Sequence, residues 1–139
     1  MTVQDEAAAG GVEKICGELA AATKDVLSWE WDGRFEAALT AFTQADIASV
    51  TQAFAPVFPH SFDGNSLAGA PPVARGRVSA MGGLRGDQRL LVGAELGGAM
   101  LVAAWWPWGG GAKVSVRIML AGATGATWQA ALRRGFGVG

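Results

Sequence analysis

At 139 residues the chain is long enough for one hydrophobic core, and its 27 Ala and 21 Gly leave that core to few large side chains, six Trp and six Phe among them. A lone cysteine, Cys16, excludes an intrachain disulfide, a single histidine excludes a Cys/His metal cluster, and the longest uncharged run, Leu96 to Ala112, is too short and too broken by glycine and proline for a spanning helix. The formal charge of −1 hides two opposite halves: residues 1–65 hold ten acidic side chains against three basic ones, and residues 66–139 hold eight basic against two acidic.

The N-terminus carries Asp5 and Glu6 and no basic residue or apolar run, so no secretory signal is read there, and a cytoplasmic location is the expectation. Residues 1–11 are small and polar and are expected to be flexible. From Val12 the apolar residues Val12, Ile15, Leu19, Ala22, Val26 and Trp29 recur at alternating spacings of three and four, the face of a helix. Cys16 lies beside that stripe, as an inert buried thiol would.

Residues 28–36 admit two readings. Asp32 caps a second helix with Phe35, Ala38, Leu39 and Phe42 on one face, favoured by the helix formers at 36–39, or Asp32-Gly33 turns a hairpin. Thr43 then reads as the N-cap of a helix carrying Ile47, Val50 and Phe54, closed by Pro56. Pro59 to Pro72 reads as a loop, and the charge changes sign within it.

After Pro72 the apolar period switches to two. Val73 to Gly82 reads as a strand with Arg75, Arg77 and Ser79 on one face. Gln88 to Glu95 is a second strand, Gly97-Gly98 a tight turn, and Ala99 to Trp106 a central strand apolar on both faces. Lys113 to Leu120 alternates, with Lys113, Ser115 and Arg117 outward and Val114, Val116, Ile118 and Leu120 inward. Thr124 or Gly125 opens a last helix, with Trp128, Ala131 and Leu132 on one face, Arg133 and Arg134 in its last turn, and Gly135 as its stop.

The expected fold is therefore α+β: N-terminal helices packed on a four-stranded antiparallel meander with a short C-terminal helix. One domain covers 12–139, made of an acidic helical part (12–58), a loop (59–72), a basic sheet (73–121) and the helix (124–135).

Catalytic constellations are thin. His60, Ser61 and Asp63 lie too close in sequence for triad geometry, and no nucleophile elbow is present. Gly109-Gly110-Gly111-Ala112-Lys113 lacks the spacing and the Ser/Thr of a phosphate loop and sits between strands, and Arg85-Gly86-Asp87 is a turn. No catalytic residue, metal ligand or cofactor is expected.

The remaining signal is aromatic and basic. Trp105 and Trp106 point to opposite faces of a strand, and Trp108 follows Pro107 at a flexible turn. The doubly apolar third strand needs cover on both faces, and the helices at hand supply one. The expectation is a non-enzymatic interaction or assembly module, a homodimer or a subunit of a larger assembly. Its contact residues are Arg75, Arg77, Trp105, Trp106, Trp108, Lys113 and Arg117 on an exposed sheet face. The alternative is an anionic ligand or single-stranded nucleic acid on the same face, which a pI near 5.7 disfavours.

Overall fold

The computed structural model describes residues 3–122 and 125–139. In chain order its elements are α1 (Val3–Ala22), β1 (Glu30–Asp32), β2 (Ala37–Thr43), α2 (Ile47–Phe54), β3 (His60–Phe62), α3 (Pro72–Ser79), β4 (Arg89–Leu96), β5 (Ala99–Trp108), β6 (Lys113–Gly122) and α4 (Ala126–Phe136). The class is α+β and the sheet is antiparallel throughout, with six strands rather than four, in the order β1-β2-β6-β5-β4-β3.

The sheet is built around β5. Its odd residues Leu101, Ala103 and Trp105 face α1, α2 and α4, and its even residues Met100, Val102, Ala104 and Trp106 face α3. We call these the front and back faces. Burying Leu101, Met100 and Val102 on opposite sides stabilises the fold by roughly 1.5–3 kcal/mol per side chain. The hairpin to β6 pairs Val102 with Met119 and Ala103 with Ile118, so front and back residues keep their faces across strands. Gly97 and Gly98, both at positive φ, make the tight turn between β4 and β5.

On the front face α1 and α4 lie against each other at a very close approach. A Cβ on Gly135 would stand 2.5 Å from the Cys16 Cβ, and the glycine lets the helices meet. Helix α1 begins at Val3 and ends at Ala22, where the buried Thr23 donates its hydroxyl to the Leu19 carbonyl at 2.8 Å. The apolar stripe read as far as Trp29 thus leaves the helix: Trp29 instead meets Phe136 of α4, ring centroids 4.4 Å apart. The C-terminal stop is Gly137 rather than Gly135. Gly137 is left-handed, and the N–H groups of Gly137 and Val138 bond back to the carbonyls of Arg134 and Arg133. Thr124, the other expected start of this helix, lies outside the described residues.

Two segments exchange their expected types. Residues 37–43 form strand β2, not a helix. Pairing to β1 and β6 overrides the helix propensity of Glu36 to Leu39; a hairpin does form here, but Asp32 belongs to strand β1 and the connection is Gly33 to Glu36 rather than an Asp32-Gly33 turn. Pro72–Ser79 forms helix α3, not a strand. Ala70, Ala74 and Val78 recur every four residues and are buried against the back face, and Pro72 sits in the first turn, where a missing N–H costs nothing. Thr43 precedes a short 3-10 turn, Gln44–Asp46, and makes no side-chain cap. The 59–72 loop contributes edge strand β3 and a second 3-10 turn, Leu67–Gly69.

The expectation that this chain covers only one face of β5 is not met. The chain covers both faces of β5 by itself, the front with α1, α2 and α4 and the back with α3, Phe62, Leu67, Met81 and Leu84. Among the described residues no helix is long and apolar enough to cross a membrane.

Candidate functional site

Helix α3 covers only part of the back face. Toward the β1 edge a strip of that face stays open, and the alternation of β6 places Lys113, Ser115 and Arg117 on it. From β5 come Trp106 and Trp108, from β2 Leu39, Ala41 and Thr43, and from β1 Glu30 and Asp32. Trp108 is 49% exposed. It borders a groove of about 360 Å³ whose lining includes Glu30, Leu39, Ala41, Ser115 and Arg117.

Of the seven residues expected at a contact surface, the fold therefore brings together four: Trp106, Trp108, Lys113 and Arg117. Trp105 is on the front face, edge-on to Phe42 and Phe54 at 5.4 and 6.1 Å. Arg75 and Arg77 are on α3 rather than on a strand, and two residues apart on a helix they do not share a face. Arg77 turns toward the sheet, where its Nε donates to the Leu120 carbonyl at 3.1 Å and its Nη2 to the Phe35 carbonyl. Burial lowers its pKa, against the opposing pull of Glu36.

Cations and rings interleave along the strip. The Arg117 guanidinium lies 4.9 Å from the Trp106 ring centre and 5.4 Å from that of Phe35. Phe35 meets Trp106 edge-on at 6.4 Å, Arg34 covers Phe35 at 4.9 Å, and Lys113 covers Trp108 at 5.0 Å. Phe35 is the member sequence reasoning missed. It stands in the hairpin connection next to Glu36, a non-glycine residue at φ 50, where no strand period extends.

Arg117 is already engaged electrostatically. Its Nε donates to Asp32 Oδ2 at 2.8 Å, and the two side chains are only 18% and 14% exposed. Burial pushes the Asp32 carboxyl up, but the Arg117 hydrogen bond and charge, with the N–H groups of Arg34 and Phe35, outweigh it and hold the group below its ordinary value. Other opposite charges meet in the same sense. Arg134 pairs with Glu13 between α4 and α1, Arg89 acts on Asp63, and Glu36 on Arg77. In each case an acid of the first half faces a base of the second, so the charge split is partly neutralised inside the molecule.

The edge beside the strip is incomplete. The Gln44 N–H bonds the Ala112 carbonyl at 2.9 Å, continuing the β2–β6 ladder, so even residues of β2 bond β6 and odd ones point away. Strand β1 covers Ala37 and Leu39 only. The outward N–H and C=O groups of Ala41 and Thr43 have no backbone partner among the described residues. The strip thus offers aromatic and aliphatic surface beside free backbone donors and acceptors. It brings no nucleophile beside a general base, and no group of three His, Cys, Asp or Glu side chains that could hold a metal ion occurs among the described residues. Compared with protein-family models, with curated proteins and with solved structures, the chain matches none, and the surface is identified by the chemistry of its own residues.

Proposed function

We propose that the protein is a non-enzymatic interaction module that takes an extended segment of a partner protein against the open strip. The segment pairs with the outward groups of Ala41 and Thr43 and sets an apolar side chain beside Trp108. The observation that carries this reading is the coincidence of an unpaired strand edge with a half-exposed tryptophan in one groove. Backbone pairing supplies affinity and the flanking pocket supplies selectivity in such strand addition. A half-exposed Trp is also the residue type that most often dominates a contact.

A second copy of this chain is the other protein that could occupy the edge. The free stretch is short, which favours a partner segment over a broad twofold interface. The anionic-ligand reading loses support, because Arg117 and Arg77 already face Asp32 and backbone carbonyls. It predicts oligonucleotide binding that falls steeply with salt.

The test is capture of partners from cells by the wild-type chain, by Trp108→Ser and by Ala41→Pro. A proline at 41 removes an N–H that points away from β6, so the sheet tolerates it as an edge position. A partner held by the wild type and lost with both variants is expected. Retention of every partner by both variants refutes the reading.

A further inference from the structure

A second cleft opens on the opposite face of the sheet, between α2 and the ends of β4 and β5. Its volume is about 440 Å³, within the range of small-molecule sites. Its apolar walls are Phe54, Phe58, Leu91, Trp105 and Pro107. The rings are set at angles to one another: Phe54 meets Phe58 at 5.7 Å and 45°, and Trp105 at 6.1 Å and 80°. Such a tilted aromatic lining suits a flat apolar body that can meet ring faces and edges together.

The polar groups at this cleft are few. Arg89 is the register partner of Trp105, so the two side chains leave the sheet on the same face, and both line the cleft. Asp87 lines the cleft two residues earlier, and Thr51 and Ser61 add hydroxyls from the helix and from β3. Neither Asp87 nor Arg89 forms an ion pair among the described residues, although the charge of Arg89 reaches Asp63. A cation and an anion that do not pair with each other thus border one aromatic hollow.

That pattern is complementary to a zwitterion. We infer that the cleft binds a small molecule with a flat apolar body joined to a carboxylate and an ammonium group, the chemistry of an aromatic amino acid. The carboxylate meets Arg89, the ammonium meets Asp87, and the ring lies in the hollow walled by Leu91, Trp105 and Pro107. A molecule with only one charge leaves the opposite side chain without a partner in the complex, and so binds more weakly.

The test uses L-phenylalanine, 3-phenylpropanoate, which lacks the ammonium, and 2-phenylethylamine, which lacks the carboxylate. Binding is read by calorimetry and by the indole N–H resonance of Trp105, identified by its loss in Trp105→Phe. Saturable binding of phenylalanine with a shift of the Trp105 signal is expected, weakened about tenfold or more in each single-charge analogue. Arg89→Gln and Asp87→Asn, both exposed positions, each lower the affinity by a similar factor while leaving the unliganded spectrum in place. The inference is overturned if phenylalanine leaves the Trp105 signal unmoved at about 10 mM. It is equally overturned if both analogues bind as well as the zwitterion, or if neither charge variant weakens it. The strip on the back face plays no part in any of these readings.

Discussion

Arg117 and Asp32, 85 residues apart, are joined by an Nε–Oδ2 hydrogen bond of 2.8 Å that ties β6 to the outermost strand β1 and pins the hairpin carrying Phe35. The pair is mostly buried, so its loss is felt by the whole strip. Arg117→Met leaves the Asp32 carboxylate without its charged partner and is expected to cost about 2 kcal/mol, read from urea unfolding at pH 7. The pH dependence follows from the lowered pKa of Asp32. The stabilisation is fully present above the unfolded carboxylate value, about 3.9, and is lost as pH falls through the lower folded value. The stability gap between wild type and Asp32→Asn is therefore expected to be constant near neutrality and to close in acid. A gap that persists below both values contradicts the assignment.

The approach of α1 to α4 makes Gly135 intolerant of any side chain. A Cβ there would meet the Cys16 Cβ at 2.5 Å and the Glu13 carbonyl at 2.9 Å. Alanine in a helix is worth about 1 kcal/mol over glycine by propensity alone, whereas forcing a methyl into a closed contact costs about 1–3 kcal/mol. Gly135→Ala is expected to lower the melting temperature. Gly10→Ala, in α1 with open space around it, is expected to raise it. The opposite ranking in a thermal melt contradicts the helix contact.

Cys16 is fully buried in that same contact, and burial pushes its thiol up to about 12. A thiol so far from ionisation at neutral pH is a poor nucleophile. Aromatic disulfide reagents are expected to leave the folded protein unlabelled and to modify Cys16 only as urea unfolds it. The raised value also means that stability falls as pH rises from the ordinary thiol value toward 12. Rapid labelling of the native protein contradicts the burial.

Much of the sheet was legible because alternation and turn glycines agree. Gly97-Gly98 and the glycines at 109–111 mark both hairpins, and Lys113 to Leu120 alternates so cleanly that the face of Lys113 and Arg117 follows from spacing. Residues 35–42 and 73–80 were not legible. Ala38 and Phe42, like Ala74 and Val78, are four apart, a spacing that suits both a strand and a helix face. Propensity points to a helix at 36–39, where pairing with β6 decides, and Pro72 in the first turn marks the start of α3. That exchange moved Arg75 and Arg77 off the sheet and supplied the missing cover for β5. Phe35 had no readable signal, because its place on the strip depends on the left-handed Glu36 and on the Arg77 bond to its carbonyl.

The strip is tested most directly by photo-crosslinking in cells from a photoreactive side chain placed at Thr43, which is exposed and points to the same face as Lys113. Val73, 46% exposed on the outer side of α3, serves as the control position. Adducts from 43 to one partner segment are expected, absent from 73, abolished by Ala41→Pro and reduced by Trp108→Ser. Adducts equally abundant at 43 and 73, or unchanged by Ala41→Pro, would contradict an interaction module that works through the β2 edge.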